Sequence, residues 1–158
     1  MKREIDLQVN GESYSIVVDT RETLLDALRY RLGFMGPKEG CGNGNCGSCT
    51  VSLNGMVADS CLVFAVEADG AEVTTVEGVA VGGKLHPVQQ AFIENGGLQC
   101  GFCTPGFIMS AKALLEQNPN PTEQEIRLAL SGNLCRCTGY DKIVRAVTAA
   151  SQALSKVA

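Results

Sequence analysis

The chain contains eight cysteines, and these fall into two groups of four that differ in spacing. The first group is Cys41-x4-Cys46-x2-Cys49-x11-Cys61, and the second is Cys100-x2-Cys103 followed later by Cys135-x-Cys137. Thiolates grouped in this way bind zinc or iron–sulfur clusters, whereas cysteines in an oxidising compartment pair as disulfides. Because either kind of metal centre takes four thiolates, the eight cysteines suffice for two complete sites.

The first group has the spacing of plant-type ferredoxins, in which four thiolates hold a two-iron, two-sulfide cluster. We call the set of Cys41, Cys46, Cys49 and Cys61 the N-terminal site. Its loop carries glycines at positions 40, 42, 44 and 47. Glycine allows the backbone to pass close to a cluster and to turn its N–H groups toward the sulfurs. Zinc needs no such wrapping, so the pattern predicts an iron–sulfur cluster here.

The second group suits either an iron–sulfur cluster or a structural zinc ion. We call the set of Cys100, Cys103, Cys135 and Cys137 the C-terminal site. Each of its two cysteine pairs lies just before a predicted helix start. The free N–H groups and partial positive charge of a helix N-terminus stabilise thiolates and a negatively charged cluster. A zinc site could use the same geometry, so the spacing leaves the choice between iron and zinc open.

Composition and charge exclude several classes of protein. The 158 residues are 45% hydrophobic but contain no apolar run of about 18 residues, so we expect no membrane span. The first residues, Met1 to Asp6, are charged and alternating and lack the apolar core of a secretory signal. We therefore expect a cytoplasmic protein, in which a disulfide framework is disfavoured. The net charge of −4, without a basic run, argues against nucleic acid as a partner.

The residues up to 77 predict a small α+β domain, in which strands pack around one helix. Apolar residues alternate in short segments that predict strands at 4–9, 14–18, 49–53, before Cys61 and at 72–76. Asn10-Gly11 and Asn54-Gly55 are hairpin signals between these strands. A helical period from about Glu22 to Gly33 predicts a helix whose core residues are Leu24, Leu25 and Leu28.

A linker rich in glycine and valine is predicted at 78–85, and residues 86–158 predict four helices. Their signals are Pro87 in a first turn, an apolar segment from Phe107 to Leu115, a capping box at Thr122 and a long helix from Asp141 to Val157. The first of these helices carries the apolar residues Val88, Ala91, Phe92 and Ile93 and is predicted to end at Gly96-Gly97. We therefore expect two domains, 1–77 and 86–158, and the second is a four-helix bundle.

With both cysteine groups placed, the sequence resembles the small iron–sulfur subunit of the molybdenum hydroxylases, the family of xanthine dehydrogenase, carbon monoxide dehydrogenase and aldehyde oxidoreductase. The matching motifs are Glu39-Gly-Cys-Gly-Asn-Gly-Asn-Cys-Gly-Ser-Cys49, Gln99-Cys-Gly-Phe-Cys-Thr-Pro-Gly106 and Gly132-Asn-Leu-Cys-Arg-Cys-Thr-Gly-Tyr140. They occur in family order and span essentially the whole chain. The resemblance implies a plant-ferredoxin-like (β-grasp) domain followed by a four-helix bundle, each with one 2Fe–2S cluster.

The resemblance also implies an electron-transfer subunit of a three-part oxidoreductase. A large subunit would bind molybdenum through molybdopterin (the cytosine dinucleotide), and a medium subunit would bind FAD, in a heterotrimer or a dimer of heterotrimers. Electrons would pass from the molybdenum through the C-terminal and then the N-terminal site to the flavin or another acceptor. Gln99 and Cys137 match residues that approach the molybdopterin of the partner subunit, so Cys137 would be both a cluster ligand and a point of electron transfer.

The remaining polar residues predict no bond-making catalytic site in this chain. His86, the only histidine, precedes Pro87 and is predicted to belong to a helix start. Lys38 and Glu39 are predicted to be solvated loop charges. Arg136 lies between two cysteines of the C-terminal site. Its side chain is predicted either to be simply solvated or to pair with a partner chain or offset the cluster's charge.

A free-standing, diffusible two-cluster ferredoxin is the alternative to a subunit. Such a carrier would be a soluble monomer, whereas a subunit would co-purify with larger chains. The sequence does not identify the substrate, because the substrate pocket would lie in another chain.

Overall fold

The structure, a computed structural model, describes residues 1–156. Its N-terminal part is a five-stranded sheet formed by β1 (Lys2–Val9), β2 (Glu12–Asp19), β3 (Thr50–Leu53), β4 (Met56–Asp59) and β5 (Glu72–Thr74). The strand order is β2-β1-β5-β3-β4. β1 pairs with β5 in parallel, and the other neighbouring strands pair antiparallel. This mixed sheet confirms the predicted α+β, ferredoxin-like fold.

Two Asn-Gly turns join the antiparallel strands. Asn10 (φ 54°) and Gly11 (φ 84°) connect β1 to β2, and Asn54 (φ 50°) and Gly55 (φ 81°) connect β3 to β4. Positive φ at both central residues gives a turn whose twist matches that of the paired strands, and Asn and Gly tolerate this conformation best. Both predicted hairpins are therefore confirmed.

The helix packed on this sheet is wound differently from the single helix predicted over 22–33. It consists of α1 (Leu24–Asp26) and one π-helical turn, Ala27–Arg31. The apolar spacing does not distinguish the two windings, because the three leucines predicted for the core are buried in the structure as well. Within this wider turn, the Arg29 guanidinium donates to the Pro37 carbonyl at 2.7 Å, which ties the helix to the cysteine loop.

The strand predicted at 72–76 is shorter in the structure, because β5 ends at Thr74. The Thr75 N–H donates to the side-chain oxygen of Asn10 at 2.9 Å instead of to a neighbouring strand. Val76–Gly78 then forms a 3-10 turn. Val76 packs against the hydrophobic core of the helical part.

The C-terminal part consists of four helices, α2 (Pro87–Glu94), α3 (Thr104–Gln117), α4 (Glu123–Ala129) and α5 (Asp141–Ser155). The capping box predicted at Thr122 is confirmed, since the Glu125 N–H donates to the Thr122 hydroxyl at 3.3 Å. The predicted end of the last helix, Val157, lies outside the described residues. Within the part of the chain that the structure describes, none of these helices has the length and apolar character needed to cross a bilayer.

The apolar residues of α2 do not all face the core, because Ile93 is 57% exposed. Val88, Ala91 and Phe92 are buried. At 3.6 residues per turn, Phe92 lies about 40° around the helix from Val88, whereas Ile93 lies about 140° away. Ile93 therefore faces outward from the helix surface that carries the core.

The chain has two hydrophobic cores. The first is formed by the sheet and α1, and the second by the four helices. Val79, inside the predicted linker 78–85, is buried in the second core. The limits of the two domains, 1–77 and 86–158, stay a prediction.

Candidate iron–sulfur centres

The four thiols of the N-terminal site lie together in two pairs. The loop between α1 and β3 contains Cys41, Cys46 and Cys49, and Cys61 follows β4. The Sγ atoms of Cys49 and Cys61 are 3.4 Å apart, and the Cys46 side chain is among the groups that lower the pKa of Cys41. One pair includes the buried Cys49, and the other includes the exposed Cys41. The site therefore has an inner and an outer side.

The C-terminal site has the same arrangement, built from two loops. Cys100 and Cys103 lie in the loop before α3, and Cys135 and Cys137 lie between α4 and α5. The Sγ atoms of Cys100 and Cys137 are 3.6 Å apart, and the Cys103 and Cys135 side chains each affect the pKa of the other. Each pair thus takes one thiol from each loop.

Two pairs of thiols fit a two-iron cluster, because each iron of such a cluster takes two of the four cysteines. A mononuclear zinc site would instead draw four thiols around one point. In the described residues, which include all eight cysteines, no three His, Cys, Asp or Glu side chains converge as they would on a single ion. All eight cysteines are free thiols. Their assignment as ligands, residue by residue, stays a prediction.

Hydrogen bonding and burial affect the two sides of the N-terminal site differently. The backbone N–H groups of Asn43 and Asn45, the latter 3.3 Å from Sγ, lower the pKa of Cys41 to about 7. Burial raises the pKa of Cys49. The outer thiol therefore ionises readily, whereas the inner thiol loses its proton only when a metal supplies compensating positive charge. This difference suits a site in which metal binding and folding are coupled.

The C-terminal site shows the same contrast. The Phe102 N–H lowers the pKa of the exposed Cys100, whereas burial raises the pKa of Cys103 to about 12. Burial also acts to raise the pKa of Cys135, but the Thr138 hydroxyl (3.2 Å) and N–H (3.4 Å) donate to its sulfur and lower the pKa overall. Donors that stabilise the thiolate are thus built into this loop.

Two residues that support the C-terminal site were not predicted, Thr138 and Tyr140. Tyr140 has φ 70°, a left-handed conformation that is uncommon for residues other than glycine. Its hydroxyl accepts a hydrogen bond from the Cys135 N–H at 3.1 Å. The sequence does show two hydroxyl side chains directly after the second cysteine pair. Their hydrogen-bond partners, however, depend on the fold of the loop, so the sequence alone did not mark them as supporting residues.

Close packing against neighbouring side chains leaves little room for a Cβ at two glycines of the cysteine loop. A Cβ at Gly40 would lie 2.8 Å from the Cys46 sulfur, and one at Gly44 would lie 2.6 Å from the Leu62 side chain. Gly44 also has φ 78°. A side chain at either position would thus push the loop out of shape.

The two sites are joined by a buried contact between their loops. The Leu134 N–H donates to the Cys46 carbonyl at 2.9 Å, and the Asn133 side chain donates to the Gly47 carbonyl at 3.0 Å. The Ser110 hydroxyl donates in turn to the Asn133 side-chain oxygen at 2.8 Å. Asn133, only 4% exposed, was not singled out from the sequence. Because its partners are remote in sequence, no local pattern marks it.

The structure also locates the other polar residues considered above. Gln99 is exposed, and its amide donates to the Cys137 carbonyl at 3.1 Å. His86 accepts from the Val88 N–H at 3.2 Å, which confirms its role at a helix start. Glu39 is exposed, as predicted. The prediction for Lys38 is wrong, because its ammonium is half-buried and donates to the Gly36 carbonyl at 2.9 Å.

A β-grasp sheet joined to a helical bundle, each with four paired thiols, defines this chain as an iron–sulfur protein with two centres. Comparison with known families agrees. Residues 7–76 match the 2Fe-2S iron-sulfur cluster binding domain, and residues 75–148 match the 2Fe-2S binding domain.

Individual relatives identify the family more narrowly. The nicotinate dehydrogenase small FeS subunit of Eubacterium barkeri is 53% identical over 146 residues, which are 92% of this chain and 93% of that protein. The nicotine 6-hydroxylase small subunit of Paenarthrobacter nicotinovorans is 53% identical over 144 residues, 91% and 87% of the two chains. A chain of quinoline 2-oxidoreductase from Pseudomonas putida 86 superposes with a TM-score of 0.94 at 43% identity, covering 98% of this chain and 97% of that one.

The chain therefore belongs to the small iron–sulfur subunits of the molybdenum hydroxylase family.

Proposed function

We propose that this chain is the electron-transfer subunit of a multi-subunit molybdenum hydroxylase. One 2Fe–2S cluster would be held by Cys41, Cys46, Cys49 and Cys61, and the other by Cys100, Cys103, Cys135 and Cys137. When bound, each cluster supplies a centre that takes up and releases one electron. The residues of this chain hold and separate the two centres, and the bond-making chemistry belongs to cofactors of a partner subunit.

The observation that carries this proposal is the direct contact between the two sites. Cys46 belongs to the N-terminal site and accepts, through its carbonyl, the N–H of Leu134 at 2.9 Å. Leu134 immediately precedes Cys135 of the C-terminal site. Electron transfer falls off steeply with distance and is faster through bonded atoms than through gaps. One hydrogen bond between the two loops therefore supports relay of electrons from one site to the other.

We place the C-terminal site toward the molybdenum–molybdopterin centre of the large subunit, and the N-terminal site toward the electron acceptor. Gln99 and Cys137 are both exposed, and the amide of Gln99 is tied to the Cys137 carbonyl. A side-chain amide both donates and accepts hydrogen bonds, so the remaining groups of Gln99 suit the polar edge of a molybdopterin. Cys137 would then be the point at which electrons enter this chain.

Exposed apolar side chains near both sites support the presence of partner chains. Those near the C-terminal site are Leu98, Phe102, Leu134 and Tyr140. Those near the N-terminal site are Met35, Leu62 and Phe64. Large exposed apolar side chains that adjoin a functional site are typical of surfaces that another protein covers. A diffusible ferredoxin would leave these apolar side chains in water. The relatives are named as small subunits, which favours a subunit over a diffusible ferredoxin.

The complete assembly that we propose has three kinds of subunit. The large subunit would carry molybdopterin cytosine dinucleotide and a medium subunit FAD, in a heterotrimer or a dimer of heterotrimers in the cytoplasm. The relatives act, by their names, on nicotinate, nicotine and quinoline. Because the large subunit would carry the molybdopterin, the choice of substrate would lie with that subunit.

The proposal is tested by purifying the chain anaerobically with its native partners and analysing metal, sulfide and subunit content. We expect about four irons and four acid-labile sulfides per chain, because each complete set of thiols takes a 2Fe–2S cluster. Reduction should produce two distinct electron paramagnetic resonance (EPR) signals, and a molybdenum-containing chain should co-purify. Zinc in place of iron would contradict the cluster assignment, and a fully loaded, monodisperse monomer would favour the free ferredoxin.

Replacing Gln99 by Ala should slow the reduction of the clusters by substrate at least about fivefold, or lower the molybdenum content, while iron stays normal. Loss of a hydrogen bond to a buried polar partner costs about 1–3 kcal/mol. A loss of about 1–2 kcal/mol, the lower part of that range, corresponds to a factor of about 5–30. Rapid-mixing spectroscopy of the complex measures the rate. The matched control is Gln90→Ala, which removes an exposed glutamine of α2 that bonds Glu94. Equal rates in both variants would exclude a role for Gln99 at the molybdopterin.

A further inference from the structure

Lys38 occupies the junction between the two cysteine loops, although the sequence predicts a solvated charge. Its backbone N–H donates to the Ser48 carbonyl at 2.9 Å, which fixes its Cα inside the N-terminal loop. Its ammonium donates to the Gly36 carbonyl at 2.9 Å and lies 6.0 Å from the centre of the Phe102 ring. Phe102 lies between Cys100 and Cys103. The side chain thus connects the loop of one site with the loop of the other.

The Phe102 ring also contacts the N-terminal loop. A Cβ built on Gly40 would lie 3.5 Å from the ring edge and 2.8 Å from the Cys46 sulfur. The ring is therefore packed beside the N-terminal site while its backbone belongs to the C-terminal site. Lys38 and Phe102 together form a structured contact between the sites, which distinguishes this lysine from a mobile surface charge.

The surroundings of the Lys38 ammonium favour its interaction with negative charge at the C-terminal site. Burial lowers the pKa of Lys38, Arg29 lowers it further, and the negative charge of Glu77 acts to raise it. A carbonyl acceptor and the face of an aromatic ring both prefer the charged form of an amine. The amine is thus held beside the Phe102 ring of the C-terminal site's loop, where solvent screens its charge less than at the surface.

We infer that Lys38 is a positioning residue that raises the reduction potential of the C-terminal cluster. The inference rests on the proposed function, because it requires a cluster bound at Cys100, Cys103, Cys135 and Cys137. An oxidised 2Fe–2S cluster with four thiolates carries two negative charges. One electron, delivered from the partner's substrate oxidation, reduces one ferric ion to ferrous and brings the charge to three. A fixed cation stabilises the reduced state more than the oxidised state, so it favours uptake of the electron at this site.

The test compares Lys38→Gln with Lys38→Arg in the complete enzyme complex. Glutamine removes the charge but keeps a side-chain N–H donor, whereas arginine keeps the charge. Lys84→Gln, at an exposed position in the predicted linker, makes the same change in net charge away from both sites. A redox titration followed by EPR measures the potential of each cluster separately.

We measure the ratio of reduced to oxidised C-terminal cluster at the midpoint potential of the wild-type cluster. We expect Lys38→Gln to lower this ratio by about threefold to tenfold. A tenfold change corresponds to a shift of 59 mV in the potential of a one-electron couple. The N-terminal cluster should shift less, and Lys38→Arg and Lys84→Gln should both retain the wild-type ratio. Lys38→Met, which keeps the apolar stem, provides a second neutral variant if the glutamine variant does not load iron.

An unchanged C-terminal potential in the neutral variants would overturn the inference, as would an equal shift in the arginine variant. Lack of two cluster signals in the wild-type complex would instead overturn the proposed function.

Discussion

Replacing Gly106 by Ala is expected to lower the free energy of unfolding by about 3 kcal/mol or more, because overpacking and the loss of a buried hydrogen bond each cost about 1–3 kcal/mol. Gly106 lies in the first turn of α3, where alanine would normally be favoured by about 1 kcal/mol. Its Cβ, however, would approach the Gly47 carbonyl oxygen to 2.0 Å. That oxygen accepts from Asn133 at 3.0 Å and from the Thr50 hydroxyl at 2.7 Å. Relief of the clash must therefore move a buried, fully engaged backbone group.

The measurement is urea denaturation of the purified complex, followed by loss of the visible cluster absorbance. With a typical slope of about 1–3 kcal/mol per molar urea, the midpoint should fall by about 1 M or more. The matched control is Gly132→Ala, next to Asn133, because a Cβ at Gly132 meets no atom within 4 Å. If both variants unfold at the same urea concentration, the junction does not hold the two halves together as the structure indicates.

Replacing Cys46 by Ser should remove the N-terminal cluster and leave the C-terminal cluster in place, so that iron falls from about four to about two per chain. The contact between the sites should persist, because Leu134 bonds to the backbone carbonyl of Cys46 and not to its side chain. Substrate should still reduce the molybdenum and the remaining cluster. In the proposed order of centres, electron delivery to the flavin or other acceptor should fall to background, since the relay would lack its second centre.

Iron analysis and EPR of the dithionite-reduced complex measure the loss, and stopped-flow spectroscopy measures flavin reduction. The reciprocal control is Cys103→Ser, which should remove the other signal and block reduction of the N-terminal cluster by substrate. Loss of both signals in a folded Cys46→Ser protein would contradict two independent sites. Unchanged flavin reduction would show that electrons bypass the N-terminal site.

The features that could be predicted from the sequence are those encoded within a few consecutive residues. The Asn-Gly turns at 10–11 and 54–55 were predictable because positive φ at two central residues is strongly disfavoured for most side chains. The cap at Thr122 was predictable because a hydroxyl three residues before a glutamate satisfies free N–H groups locally. The cysteine spacing likewise indicated which thiols lie together, because the chain between ligands must be long enough to wrap a cluster. That these thiols are the cluster ligands stays a prediction.

The features that could not be predicted depend on groups that are remote in sequence. Asn133 bonds to the Gly47 carbonyl 86 residues away, and the Sγ atoms of Cys100 and Cys137, 37 positions apart, meet at 3.6 Å. The sequence alone determined two cysteine sites, a small sheet domain and a set of helices. The tertiary structure decided how these parts dock, that Lys38 is half-buried beside Phe102, and that Gly106 touches Gly47. Local signals act through the torsions of neighbouring residues, whereas docking depends on the shapes of two complete surfaces, and no short segment contains that information.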